Sequence, residues 1–203
     1  MGFKVIYEPT AELLTLDEVR LHLRLDAYDS PAAHPDDPIV TALIAAAREF
    51  AENYTGRSLA LRTVELTLDA FPACRNIPLT MPPLFAVEFV RYIDSDEVEQ
   101  TFTGWTLNDY VTPARIELDP GIEWPATFGQ VNAVRVRLQT GYTAADESPS
   151  GAALPKSVRQ AMLLVIGHMY ENREASSVVS LNELPLGVTA LLQPYRLYTA
   201  HGQ

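Results

Sequence analysis

His168 and Glu171 stand three residues apart in the stretch AMLLVIGHMYENREA, residues 161–175. At that spacing on a helix the two side chains share a face, and an imidazole beside a carboxylate is the beginning of a zinc site. No third ligand lies nearby, so the pair reads as structural. Asp94, Asp96, Glu97 and Glu99 bring four carboxylates into one short run, raw material for calcium. The order of a calcium loop, with its Gly and closing Glu, is missing. The run reads as a charged hairpin tip. Trp105, Tyr110, Trp124 and Phe128 could line a sugar-stacking face, but aromatic residues of this kind also fill a small β core. His22 and Arg24 belong to the outer side of a first helix, and His34 and His201 to a loop and a tail. There is no Gly-rich phosphate loop and no G-x-S-x-G. The expectation is a chain with no catalytic residue, no cofactor and no metal.

The elements that would position these groups are legible in the pattern. Thr15-Leu16-Asp17-Glu18 is a capping box, followed by Leu16, Val19, Leu23 and Leu25 at helical spacing, with a stop near Asp26. The loop AYDSPAAHPDD leads to a second helix, with Asp37 as N-cap, Pro38 at the first helical position and Gly56 as the stop. Its expected apolar face is Ile39, Leu43, Ala46, Ala47, Phe50 and Tyr54. From about residue 60 to 142 the period changes to two. Val64, Leu66 and Leu68 oppose Glu65 and Thr67, Val87 and Phe89 oppose Glu88, and Val134, Val136 and Leu138 oppose Arg135 and Arg137. These runs, with IPLTMPPL, QTFTGWTL and DYVTPARIEL, predict an antiparallel β unit of about five or six strands. The chain then returns to helix after Pro155, with the stripe Val158, Ala161, Met162, Val165, Ile166, Met169 and Tyr170. A short helical turn is expected over 187–192. The fold class expected is α+β: mainly an α-helical bundle built from both chain ends (1–58 and 150–203), with an antiparallel β domain (59–149) inserted.

The 203 residues are 47% apolar, enough for a real core, and the longest apolar run is far short of a membrane span. No signal peptide or myristoylation motif is read at the N-terminus. A lone Cys74 excludes an internal disulfide, and synthesis in a reducing cytoplasm is expected. The net charge of −11 is uneven: residues 1–150 hold 11 Lys/Arg against 23 Asp/Glu, whereas residues 151–203 carry a balance of +1. An acidic body disfavours tight nucleic-acid binding, yet it suits a passage through which DNA slides without sticking.

Several stretches in order resemble a known family. They are LTLDEVRLHLRLD, DDPIVTALIAAAREFAENYTGRSL, LTMPPLFAVEFVRYID, AVRVRLQTGYTAADESPSGAALPKSVRQAMLLVIGHMYENRE and LPLGVTALLQPYR. Their order and spacing resemble the tailed-phage head–tail connector (adaptor) proteins, including prophage and gene-transfer-agent members, over about Leu14 to Arg196. The 27–37 loop looks longer than the family's link. The resemblance implies a structural virion protein at the neck. It would sit as a ring of about twelve copies under the portal protein, with tail-side neck proteins below and DNA passing through. It also implies that the C-terminal segment contacts the portal. The candidates there are Leu191, Leu192, Tyr195, Arg196, Leu197 and Tyr198. The helix through 161–175, apolar on nearly all sides, would be covered by ring neighbours. Its subunit-interface candidates are Met162, Val165, Ile166, Met169, Tyr170, Glu171, Arg173 and Glu174. The alternatives are another neck or tail-completion (stopper) protein, or a carbohydrate-binding module or enzyme carried on the β unit, with Trp105 and Trp124 as platform.

Overall fold

The computed structural model describes residues 2–25, 34–79, 81–143, 153–172 and 186–197. The fold is α+β. Residues up to Thr10 with Ala60–Tyr142 make one compact unit, built of strands, and Ala11–Leu59 with the chain from Ala153 onward make the other, built of helices.

In the helical unit, α1 (Leu16–Leu23) starts at the expected cap, where Glu18 N–H donates to Thr15 Oγ1 at 3.2 Å. It ends at Arg24, whose φ of 54° is left-handed, two residues before the expected stop. Helix α2 (Asp37–Thr55) has Asp36 rather than Asp37 at its N-cap position, without a capping hydrogen bond from the Asp36 side chain. The reason is that the Asp37 carboxylate is already engaged. It accepts from Arg20 Nε at 2.7 Å and from His34 N–H at 2.8 Å. The expected apolar face of α2 is also turned by about one residue. The buried positions are Val40, Ile44, Ala47, Arg48, Ala51 and Thr55, and Ile39 is 39% exposed. Arg48 explains the rotation. Its guanidinium is buried and bridges Glu12 and Glu52, each at 3.0 Å, so a charge sits where an apolar stripe would exclude it. Gly56 closes the helix at φ 70°, a conformation with little cost only for glycine. Helix α3 (Lys156–Glu171) buries Val158, Ala161, Met162, Leu163, Val165 and Ile166. α1, α2 and α4 (Leu186–Leu192) all pack on it.

The other unit holds two antiparallel sheets. Strands β1 (Gly2–Tyr7), β2 (Arg62–Leu68), β4 (Leu84–Ile93), β5 (Glu99–Thr101) and β8 (Val134–Thr140) form one, in the order β1-β2-β8-β4-β5. Strands β3 (Asn76–Pro78), β6 (Trp105–Asn108) and β7 (Arg115–Leu118) form the second, in the order β3-β7-β6. The sequence reading gave residues 2–7 no element and counted them with the helical half. They pair with β2, Phe3 opposite Leu66 and Val5 opposite Val64. One core draws on both sheets: Val64, Leu66, Val90, Val136 and Leu138 from the first, Ile77 and Ile116 from the second. Past β8 the chain turns at Gly141, with φ 118°. A Cβ there would stand 2.3 Å from the Ala60 carbonyl oxygen, so only glycine fits.

Candidate interaction surfaces

The C-terminal segment is built onto its own helices. Val188 and Leu192 of α4 are fully buried. A 3-10 turn, Gln193–Tyr195, follows directly. Leu197 N–H donates to the Thr55 carbonyl at 2.8 Å, and Arg57 Nε donates to the Tyr195 carbonyl at 2.6 Å. Tyr54 OH donates to Gln193 Oε1 at 2.8 Å, Ser157 Oγ donates to Tyr195 OH at 3.0 Å, and the Arg196 guanidinium lies 5.5 Å from the Tyr54 ring centre. Of the portal candidates, then, Leu192 is interior. Leu191, Tyr195 and Leu197 are half-buried, and Arg196 is exposed. Tyr198 lies outside the described residues. The segment presents Arg196 from a fixed scaffold.

The α3 candidates divide in the same way. Met162, Val165 and Ile166 are buried among the helices of their own unit. Met169 and Tyr170 are half-buried near the helix end, and Tyr170 OH donates to the Asp36 carboxylate. Glu171 is exposed, and Arg173 and Glu174 lie outside the described residues. The helix that looked too apolar for one chain is covered largely by that chain. His168 accepts at its carbonyl from Asn172 Nδ2 at 2.9 Å, a helix-ending contact. Among the described residues no group of three or more His, Cys, Asp or Glu is placed to hold a metal ion, and no helix is long and apolar enough to cross a membrane.

On the β unit Phe71, Phe102, Trp105 and Trp124 pack against the core. Trp124 stacks on Phe71 at 4.7 Å and donates Nε1–H to the Cys74 carbonyl, and Trp105 donates Nε1–H to the Phe102 carbonyl. Both Trp rings are half-buried, and of the four residues expected to line a sugar face only Tyr110 is largely exposed, at 98%. The outer face of the larger sheet carries arginines in pairs. Arg137 meets Glu65 at 2.8 Å, Glu99 takes both Arg91 and Arg135, and Arg91 and Arg137 lie over the Phe89 ring at 4.2 and 4.8 Å. Arg91 and Arg135 are direct cross-strand neighbours, a like-charge pair that Glu99 offsets. At the β4–β5 tip Asp94 accepts from the backbone N–H groups of Asp96 and Val98 and from Gln100 Nε2. The hydrogen bonds from Val98 and Gln100 hold its pKa below the ordinary carboxylate range. In the helical unit Asp37 is likewise lowered, chiefly by its hydrogen bond from Arg20. For Arg48, burial alone would lower the pKa, but Glu12 and Glu52 outweigh it and raise it. These groups bind and brace, and none forms a nucleophile–base arrangement with a neighbour. Sequence reasoning missed the Glu12–Arg48–Glu52 brace, whose signal is a contact 36 residues apart in the chain.

Residues 105–196 match the family model of phage gp6-like head-tail connector proteins. No curated protein matches the chain. Among solved structures, a chain from the neck of an empty gene transfer agent particle, computed with C6 symmetry, is 26% identical with a TM-score of 0.76, and the match covers 100% of this chain and 99% of that one. A chain from the neck of a native gene transfer agent particle, computed with C12 symmetry, is 25% identical with a TM-score of 0.70 and the same coverage. A chain from the native gene transfer agent virion, 24% identical with a TM-score of 0.75, shares the fold. The resemblance read from the sequence, to head–tail connectors with a gene-transfer-agent branch, is upheld by a family model over residues 105–196 and by neck chains aligned along the full length.

Proposed function

We propose that the chain is a structural head–tail connector subunit of the virion neck, an adaptor between capsid and tail that works without turnover. The observation that carries it is the end-to-end likeness to a chain of a gene transfer agent neck at 26% identity. On this reading the subunits form a closed ring, about twelve copies if the C12 neck is a guide, beneath the portal and above tail-side neck proteins. DNA passes without being gripped, as the net charge of −11 favours. The finer architecture, a mainly helical connector domain from 1–58 and 150–203 carrying an inserted β domain over 59–149, belongs to the same proposal. The packing of α1, α2 and α4 on α3 supports it, while the pairing of residues 2–7 with β2 moves that strand to the β side.

Portal docking is proposed for the surface around Arg196, with Leu191, Tyr195 and Leu197 as its frame. Contacts between ring neighbours are proposed for the end of α3, at Met169, Tyr170, Glu171, Arg173 and Glu174. Met162, Val165, Ile166 and Leu192 support these surfaces from inside. Deleting the gene and imaging the particles tests the function: filled heads without tails are expected, cured by supplying the chain in trans. Normally tailed particles from the deletion would overturn it. Arg196→Glu should leave the melting curve of the purified chain unchanged and weaken binding to purified portal at least tenfold. Unchanged portal affinity would remove Arg196 from the docking surface.

A further inference from the structure

One end of the larger sheet gathers the start of β1, the end of β2, the start of β8 and the β4–β5 tip. The register fixes this: Phe3 faces Leu66, Leu68 faces Val134, Val134 faces Tyr92, and Ile93 faces Glu99. Three of the exposed large apolar side chains lie along this end, Phe3 at 56%, Val131 at 76% and Val98 at 51% exposure. With strands about 4.8 Å apart, the row from Phe3 to Val98 is roughly 20 Å long, the scale of an interface core. Single exposed apolar residues need no explanation, but a row at one end of a sheet does. The loops holding it are fixed by the fold. Asp94 Oδ1 accepts from Val98 N–H at 3.0 Å, and Asp69 Oδ1 accepts from Asn132 N–H at 2.9 Å. Val98 and Val131 are thus held outward before any partner arrives, which lowers the ordering cost of binding.

The charges around the row say what covers it. Asp69, Asp94, Asp96 and Glu97 surround it. Of the nearby cations, Arg91 and Arg135 are both engaged by Glu99, and Lys4, beside Phe3, stands opposite Glu65 in the β1–β2 register. A second copy placed end to end would set these carboxylates against their own kind, a ring neighbour offering its sheet face would bring arginines already paired with Glu65 and Glu99, and DNA would be repelled. We infer that this end of the β unit docks a different protein, whose contact face carries apolar side chains inside a rim of Lys and Arg. The inference rests on the connector reading, in which that protein is a neighbour in the neck.

Photo-crosslinking in assembled particles tests it. p-Benzoylphenylalanine replaces Val131 in one producer strain and Val98 in another, and purified particles are irradiated. Both positions should give an adduct to the same protein, distinct from this chain, with Lys or Arg in the crosslinked peptide. In addition, Val131→Glu should cut the yield of tailed particles at least tenfold, while Val131→Leu leaves it unchanged and both purified chains melt like the parent. Particles that hold the chain but yield adducts only to another copy or to DNA, or no adduct, overturn this inference alone. Particles lacking the chain at the neck overturn the connector reading, and this inference with it.

Discussion

Helix α3 and the loop end of the larger sheet teach opposite lessons about apolar residues. The α3 sequence is apolar around most of its girth, yet Met162, Val165 and Ile166 are spent inside the helical unit. The sheet end sets a short row of apolar residues among acids, and Val98 and Val131 stay in water. A continuous apolar run is buried by its own chain first, because tethered neighbouring helices have a higher effective concentration than a dilute partner. Valines held outward on rigid loops have no such neighbour. Surface available to another protein is therefore better sought at the second kind of place.

The sharpest way to break this contrast is to charge α3. Ile166→Asp places an unpaired carboxylate where Ile166 has no solvent exposure, so it should abolish cooperative folding, a loss of more than about 4 kcal/mol. Circular dichroism during chemical denaturation measures it. A variant that folded normally but failed to assemble would return Ile166 to the subunit interface.

Next in size is the brace behind α2. Arg48→Ala leaves Glu12 and Glu52 facing each other without their shared cation, and Glu52 also accepts from Leu59 N–H at 2.8 Å. Removing one partner of a largely buried pair costs about 3 kcal/mol. Arg48→Met should cost no less, since both carboxylates remain. If Arg48→Met were neutral in the same denaturation experiment, the brace would be decorative and α2 would lack its reason for turning.

That brace also shows where reading a sequence stops. Local signals carried through to the structure: the Thr15 cap on Glu18 N–H, the Gly56 stop, and the alternation of Val134, Val136 and Leu138. Each depends on residues within a few positions. The face of α2 was misjudged because Arg48 is sorted with solvent-facing residues until Glu12 is known to lie against it. β1 was missed because GFKVIY gains its strand character from pairing with β2, some sixty residues on. The stripe of Met162, Val165 and Ile166 says that these side chains are covered but not by what, and their burial with Leu192 inside one unit follows from packing that no periodicity reports.

A smaller effect separates the two units by pH and salt. Asp37 and Asp94 both have lowered pKa values in the fold. Each therefore contributes stability above the ordinary carboxylate pKa, about 4, and that contribution is lost as pH falls through the lowered value. The causes differ. Asp37 leans on the Arg20 cation, whereas Asp94 leans on backbone N–H groups and Gln100. Carboxyl NMR titration should find both below the ordinary range. Molar salt should raise Asp37 more than Asp94, and Arg20→Ala should return Asp37 toward normal with Asp94 unmoved. Equal salt responses would mean that the Arg20 pair is not held in solution.

The smallest expected change is the most telling partner to the first. Val131→Asp makes the same kind of substitution as Ile166→Asp, an aliphatic side chain replaced by a carboxylate. Val131 is 76% exposed, so little buried area is lost. Asn132 N–H still reaches Asp69 Oδ1, because that bond uses backbone and a different side chain. The new charge meets Asp69 across solvent, a repulsion of a few tenths of a kcal/mol that salt screens. Stability should therefore stay within about 0.5 kcal/mol of the parent, measured by the same denaturation curves. Two substitutions of one chemical type would then differ by several kcal/mol, and only the site on α3 would register in the isolated chain. A cost above about 2 kcal/mol at Val131 would mean that its side chain packs against its own unit. The row along the sheet end would then be part of the core, and the contrast with α3 would collapse.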